Sequence, residues 1–337
     1  MLLNVVPFKK SKKNPFEEIR TTFENQLKHV DDHIKRKLSS HVELVGEMAT
    51  HLMKTGGKRL RPLLTICSSE IFNYQGSRHI NLAACVELIH NATLLHDDVI
   101  DKSESRRGFK TTNAIWGNKS SILAGDYLLS RCFEMMVADG SPEVLKILSS
   151  VSSEIAQGEI MQLQFEKQID MVEKNYLDII SAKTASLFGA AMRVGGCINE
   201  RSKKEKEALE SYGRNLGICF QISDDILDYN SKEEVFGKKI GNDFIEGKIT
   251  LPIILLFQKS SPAEREQLQK FYTHNERSEN EFKETLKLIQ KYQIIEACKK
   301  RADYFANVAS DSISIFEKNF VVEKLQELTF YIVNRIN

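Results

Sequence analysis

From Glu18 to about Leu52 the apolar residues return every three or four positions, at Phe23, Leu27, Val30, Ile34 and Leu38, the period of an amphipathic helix. Gly56-Gly57 interrupts that pattern, and Pro62 then sits as an early helical residue ahead of Leu63, Leu64 and Ile66. A third helix is predicted from about Ile80 to Asp101, with Leu82, Val86, Ile89, Thr93 and Leu94 facing inward. Further helices are predicted at about 120–138, 144–167, 171–194 and 202–229. Beyond a loop rich in Lys and Gly (Gly237 to Gly247) others follow near 252–258, 261–272, 279–288, 290–317 and 320–335. Almost no segment alternates with period two over strand length. The expectation is an all-α fold in one domain over residues 18–337, behind a poorly structured basic lead-in at 1–17.

Composition supports that reading and removes some alternatives. With 337 residues the chain can bury a large core, and its six Pro and 17 Gly are few enough to favour long helices over a turn-rich sheet fold. Its 47 Lys and Arg nearly balance 46 Asp and Glu, so no overall basicity points to nucleic acid. The six cysteines (Cys67, Cys85, Cys132, Cys197, Cys219, Cys298) form no C-x-x-C pair and read as reduced core residues of a cytoplasmic protein. The N-terminal run with Lys9, Lys10, Lys12 and Lys13 lacks the apolar stretch and cleavage site of a secretory signal and reads as a solvated lead-in. No apolar run approaches the roughly 20 residues that cross a bilayer.

Two runs carry the chemistry: His96-Asp97-Asp98-Val99-Ile100-Asp101 and Gln221-Ile222-Ser223-Asp224-Asp225-Ile226-Leu227-Asp228. In each D-D-x-x-D the first and last Asp stand one turn apart on the same side of a helix, where like charges repel. The first run also ends its helix, where the backbone dipole is itself negative and cannot neutralise the carboxylates. One such run would pass as a solvated helix end; two, each closing an apolar helix, read as two walls of a cavity that holds cations. Oxygen-only ligands select Mg²⁺, or Mn²⁺ in its place, and without clustered Cys or an H-x-x-x-H pair zinc is a poor alternative.

Cationic side chains supply the complement. Lys58 and Arg61 flank the turn Gly56-Gly57-Lys58-Arg59-Leu60-Arg61-Pro62, Arg106-Arg107-Gly108 follows the first cluster, and Lys183, Lys238 and Lys248 lie in the second half. Singly each would read as a solvated surface charge. Together with the carboxylates they suit a diphosphate bridged by metal, with Arg as a planar fork and Lys as a point charge. The Gly-Gly-Lys stretch lacks the spacing of a nucleotide P-loop. Beneath Asp97 lie Thr93, Ala92, Ile89 and Leu88, an uncharged column along which a hydrocarbon tail could run, although core packing explains such residues equally well. These features imply ionisation of an allylic diphosphate, attack by the double bond of a second diphosphate, and loss of a proton in a site closed to water. The departing pyrophosphate is the base, since no side chain stands out for that role.

In the order of its motifs the chain resembles the trans-isoprenyl diphosphate synthases over nearly its whole length after residue 18. The motifs are Gly57-Lys58-Arg59-Leu60-Arg61-Pro62, Leu95 to Asp101 with Arg106-Arg107-Gly108, Gly158-Glu159, Lys183-Thr184-Ala185, Phe220 to Asp228, and Gly237-Lys238 through Gly247-Lys248-Ile249-Thr250-Leu251-Pro252. The resemblance implies an all-α isoprenoid-synthase bundle around a deep central cavity, usually a homodimer with one cavity per subunit. Its substrates would be isopentenyl diphosphate and an allylic diphosphate such as farnesyl diphosphate, with no nucleic acid, no transmembrane segment and at most transient contact with a membrane surface on product release. It further implies that Asp97, Asp98, Asp101, Asp224 and, less directly, Asp228 coordinate Mg²⁺. Arg106, Lys183 and Lys238 would contact the allylic diphosphate, with Lys248 also among the substrate-binding cations. Lys58, Arg61, His90 and Arg107 would hold isopentenyl diphosphate. Thr184 and Gln221 would lie near the reacting carbons. Lys239 adjoins Lys238, which leaves two lysines for one role, and a lone His such as His90 on an apolar helix is commonly a core residue.

The resemblance further implies that product length turns on the residues four and five before the first Asp, where short-chain members often carry aromatics. Here they are Thr93 and Ala92, one turn from Ile89, and neither blocks a deep tunnel. The resemblance is therefore to the long-chain branch that makes quinone side chains of roughly C40–C50, with octaprenyl preferred over decaprenyl or solanesyl. Leu128, Met135, Met161 and Phe165 are candidates for the tunnel floor. Three rivals compete: a synthase of geranylgeranyl or farnesyl diphosphate, a class I terpene cyclase, and a non-catalytic partner subunit. The cyclase would carry an N-D-x-x-S-x-x-x-E second motif, and the partner would have lost carboxylates or cations that this chain keeps.

Overall fold

Helix starts and stops follow local chemistry that is plain in the chain. Ser141 caps one long helix by accepting the Val144 N–H at 3.3 Å, with Pro142 at its first position, and Gly140 ends the preceding helix in the left-handed region at φ +76°. Ser278 and Glu281 form a reciprocal capping box, and Asn319 accepts the Val322 N–H at 3.0 Å at the start of the last helix.

The structure, a computed structural model, describes residues 14–54, 57–166, 168–230, 241–273 and 277–335. Its helices run α1 Pro15–Thr22, α2 Glu24–Lys37, α3 Glu43–Lys54, α4 Leu60–Glu70 and α5 Arg78–Ile100. A hairpin of β1 Ser105–Arg106 and β2 Phe109–Lys110 follows, then α6 Thr112–Trp116, α7 Asn118–Asp139, α8 Pro142–Gln164 and α9 Glu173–Ile180. A π-helical turn, Ser181–Ala185, leads into α10 Ser186–Ile198 and α11 Lys203–Asn230. The remainder is α12 Asn242–Glu246, α13 Leu251–Lys259, α14 Pro262–Thr273, α15 Glu279–Lys291, α16 Ile294–Ser312 and α17 Phe320–Asn334.

The all-α expectation holds, with local corrections. The continuous helix read from Glu18 to Leu52 is three helices, broken near Phe23 and again after Leu38, because the chain turns to lay α1 on α17 and α2 on α5. The helix read over 171–194 is interrupted by the π turn. The connection after the first cluster holds a short antiparallel hairpin with Arg106 opposite Phe109; Arg107 and Gly108, both at positive φ, make its two-residue turn. Most of the proposed lead-in, all of residues 1–13, lies outside the described residues, and α1 begins at Pro15.

At the centre α10 packs on α11 and α4, α5 packs on α4 and α7, and α16 covers the other side of α11. Helix α5 is buried nearly all round rather than on one stripe: Leu82, Ala83, Ala84, Cys85, Val86 and Leu88 are at most 1% exposed. Such a helix can be apolar on every face because neighbours enclose it. Two glycines let the helices close on the π turn. A Cβ at Gly158 of α8 would lie 2.6 Å from the Lys183 backbone nitrogen, and one at Gly217 of α11 would lie 2.6 Å from the Ala185 Cα. Larger residues there would push both helices off the segment that carries Lys183 and Thr184.

Candidate active site

Helix α5 delivers the first cluster on its last turn and α11 the second near its own C-terminal end. The three carboxylates of the first cluster diverge to three cations from three other elements. Asp97 lies 3.7 Å from Lys183 Nζ on the π turn. Asp98, buried, accepts from Arg106 Nε at 2.9 Å, the hairpin having folded that arginine back onto the helix. Asp101 accepts from Lys248 Nζ at 3.0 Å, beyond α12. Burial pushes the Asp97 carboxyl up to about 6; Lys183 opposes the shift, while Glu159 and Asp101 add to it. Burial works against the Lys248 ammonium, but Asp101, Glu246 and Asp243 outweigh it and hold its pKa above the usual lysine range.

The second cluster is arranged differently. Asp224 is partly exposed and accepts from the Arg335 guanidinium at 2.8 Å, and Arg335 also stacks 5.3 Å from the Phe220 ring centroid. Asp225 points into the protein, where it accepts from Tyr176 Oη at 2.6 Å and from Gln221 Nε2 at 2.8 Å. Burial, and then the charge of Asp243, hold the Asp225 carboxyl well above the usual carboxylate range against those two hydrogen bonds. Asp228 accepts the backbone N–H groups of Asn242 and Asp243 at 3.2 and 2.9 Å, so it caps α12 and fixes the segment leading to Lys248. Thr184 donates to Gln221 Oε1 at 3.1 Å, which brings that expected pair together.

Of the groups expected to hold a second diphosphate, Arg61 and Arg107 gather near His90. Arg61 NH1 lies 3.1 Å from His90 Nε2, its guanidinium 4.6 Å from the Phe188 ring centroid. Burial lowers the Arg61 pKa to about 10, with Glu87 opposing and Arg107 adding, so Arg61 stays charged at neutral pH. His90 is held neutral by burial and by Arg61, Arg107 and Arg106. Arg107 lies against Gly57, and Lys58 Nζ sits 6.0 Å from the Phe16 ring centroid. Arg61 Nε is buried with no hydrogen-bond partner among the described residues, a donor awaiting an acceptor. Arg59, in the same motif, instead pairs with Glu87 and with Asp31 at 3.1 Å and ties the turn to α5 and α2.

Ala92 and Ile89 are fully buried, and Thr93 bonds its hydroxyl to the His90 carbonyl at 2.8 Å. Lys238 and Lys239 lie outside the described residues. Sequence reasoning assigned no role to Glu159, which pairs with Lys183, or to Gln162, which accepts from Lys183 Nζ at 3.2 Å. The Gly158-Glu159 pair was a signal for the first. Nothing in the sequence marked Arg335, which reaches Asp224 from the far end of the chain.

The donor set suits a hard divalent cation: the side chains of both clusters offer carboxylate oxygens, with Glu159 and Asp101 adding negative charge near Asp97. Among the described residues no three His, Cys, Asp or Glu side chains converge as a ready-made metal site. The carboxylates are instead spread along a wall and balanced by protein cations. Nor, among those residues, is any helix long and apolar enough to cross a membrane.

The helical bundle ends two of its helices in carboxylate clusters, the first answered by Lys183, Arg106 and Lys248 and the second by Arg335, a charge pattern suited to a metal-bridged polyanion. Comparison narrows the class. The sequence profile of polyprenyl synthetases matches residues 42–289. The chain is 39% identical over 253 residues to an octaprenyl diphosphate synthase of Escherichia coli (strain K12), covering 75% of this chain and 78% of that one. Its structure is similar to that of a decaprenyl diphosphate synthase from Rhodobacter capsulatus, with TM-score 0.91, 37% identity, and coverage of 96% of this chain and 100% of that one. It is equally similar to a polyprenyl synthase from Caulobacter crescentus CB15 in complex with calcium and isoprenyl diphosphate, with TM-score 0.91, 38% identity, and coverage of 96% and 98%. The chain belongs to the polyprenyl synthetase family and is a prenyltransferase.

Proposed function

We propose that this protein is a long-chain trans-polyprenyl diphosphate synthase that adds isopentenyl diphosphate repeatedly to an allylic diphosphate such as farnesyl diphosphate, making an octaprenyl product for a quinone side chain. The observation that carries the reading is the pairing of Asp97 with Lys183, with the hydrogen-bonded Thr184 and Gln221 on the adjoining turn and helix. Similarity to octaprenyl and decaprenyl synthases supports the long-chain branch. Small Ala92 and Thr93 support it independently.

Mg²⁺ suits the donor set. Asp97, Asp101 and Asp224 would hold it, with Asp98 and Asp228 supporting from their present partners, and when bound it supplies positive charge to the diphosphate oxygens. Lys183, Arg106 and Lys248 bind the same diphosphate and stabilise charge as the allylic C1–O bond breaks. The oxygens of Thr184 and Gln221 face the cation left behind. Lys58, Arg61 and Arg107 hold isopentenyl diphosphate, and neutral His90 orients Arg61. The isopentenyl C4 then bonds to the allylic C1, its C2 proton passes to the released pyrophosphate, and the lengthened allylic diphosphate re-enters the cycle. Each turn releases one pyrophosphate.

A homodimer fits the surface. Ile122, Leu123, Phe133 and Val137 are 43–66% exposed along one face of α7, and Ile160 and Leu163 of neighbouring α8 are exposed too. An apolar stripe of this extent suits a second copy of the chain. Light scattering should give twice the chain mass, and Leu123→Glu should give the single mass. The free and mostly buried cysteines suit a reducing cytoplasm.

The reading is tested by pyrophosphate release from purified protein. Release should require isopentenyl diphosphate, farnesyl diphosphate and Mg²⁺ together. Asp97→Ala or Asp224→Ala should cut it by orders of magnitude in protein that stays folded; near-normal release from either would refute the assignment.

A further inference from the structure

Three hydrogen bonds in series connect α9, the helix that leads into the π turn, to the pair Thr184 and Gln221. Tyr176 of α9, buried at 3% exposure, donates its hydroxyl to Asp225 Oδ2 at 2.6 Å. The other oxygen of Asp225 accepts Gln221 Nε2 at 2.8 Å, and Gln221 Oε1 accepts the Thr184 hydroxyl at 3.1 Å. The polarity of this chain has a consequence. An amide side chain can present either its oxygen or its nitrogen, and its neighbours decide which. Because Asp225 takes the amide N–H, the Gln221 oxygen must face Thr184. Because Gln221 then takes the Thr184 proton, the free lone pairs of Thr184 point away from Gln221. The lone pairs left on both oxygens, the negative ends of their dipoles, are then available to a carbocation formed beside them, as the synthase reading requires.

Asp225 holds this orientation only if its own carboxyl group is held. Tyr176 does that: its hydroxyl engages the carboxyl oxygen that Gln221 leaves free. The link from Tyr176 to Asp225 is buried, so little competition from water loosens the end of the chain that holds the carboxyl group.

We propose that Tyr176 is a positioning residue for the prenyl transfer: acting through Asp225, it fixes the Gln221 amide so that the Gln221 and Thr184 oxygens face the allylic cation. This rests on the synthase reading above, and it assigns Tyr176 a role in turnover rather than in binding. Without the hydroxyl the carboxyl group can rotate, the amide can flip, and an N–H donor can face a developing positive charge. The effect falls on the step that makes the cation.

The experiment is steady-state kinetics of Tyr176→Phe, which keeps the ring. Wild-type enzyme run alongside must elongate farnesyl diphosphate; its failure would count against the synthase reading, not against Tyr176. In Tyr176→Phe, kcat should fall about tenfold, the scale of one hydrogen bond lost from a transition state, with KM for both diphosphates unchanged. In a Gln221→Ala background the same substitution should cause no further loss, because the residue it acts through is gone. Normal kcat in Tyr176→Phe, or an equal fractional loss in the Gln221→Ala background, would overturn the proposal. Should Tyr176→Phe fail to fold, p-aminophenylalanine introduced at Tyr176 keeps a donor at the same place. Retained kcat would then support the role, and a tenfold loss in folded enzyme would overturn it.

Discussion

Lys248 places its Nζ 3.0 Å from Asp101 Oδ2, joining the segment after the second cluster to the last carboxylate of the first. The contact closes the carboxylate wall, and Glu246, 2.9 Å from the same ammonium, shares it. Removing the charge leaves Asp101 near Glu246 and Asp243 without its counter-ion. Lys248→Gln should therefore lower half-saturating Mg²⁺ several-fold while turnover falls about tenfold. A Mg²⁺ titration of pyrophosphate release checks this, and an unchanged Mg²⁺ requirement would show that Lys248 does not set the charge at Asp101.

Asp97 carries a stability cost with its function. Its folded-state pKa is raised to about 6 from 3.8, chiefly by burial, so between those values the folded protein binds more protons than the unfolded chain. Stability from this group is complete below about pH 4 and is lost as pH rises through 6, about 3 kcal/mol in all. Asp97→Asn should thus raise Tm at pH 7.5 in metal-free buffer and abolish turnover, and its Tm advantage should shrink towards pH 4. A Tm equal to wild type at pH 7.5 would contradict the burial argument.

Arg335 lies on the C-terminal side of α17 and grips a partly exposed Asp224, so its ion pair adds little to stability. Arg335→Ala should leave Tm within a few degrees of wild type. Turnover should nevertheless drop about tenfold, because Asp224 and Phe220 lose the group that orders them. Equal turnover would reduce the contact to surface decoration.

Ala92 is fully enclosed and lies five positions before Asp97. Ala92→Phe must displace neighbours, at about 1–3 kcal/mol, and should stop elongation at shorter products. Chromatography of the products reads this directly. Unchanged length in folded enzyme would mean that the tail does not pass Ala92.

What was legible in the sequence was the part governed by local rules. Three-and-four spacing gave the helices, and the two D-D-x-x-D runs fell at the ends of buried helices as their charge required. Spacing could not tell that Asp224 faces Arg335 while Asp225 turns inward to Tyr176, since adjacent helical residues differ by about 100° and only the packed neighbours reveal which side is wet. The π turn under Lys183 and Thr184 was hidden for a similar reason. It depends on α8 and α11 closing at Gly158 and Gly217, contacts made by residues distant in sequence. Arg59 and Arg61 stand two residues apart in one motif, yet one braces the turn and the other meets His90; burial and partners, not residue type, separate them.

The central claim is repeated prenyl addition to a long product. Its most direct test is chromatography of the chains formed by purified enzyme from isopentenyl diphosphate, farnesyl diphosphate and Mg²⁺. The proposed function, with small residues at 92 and 93, predicts a product distribution centred on octaprenyl diphosphate. Products that stop at geranylgeranyl diphosphate, or no elongation of farnesyl diphosphate at all, would contradict it.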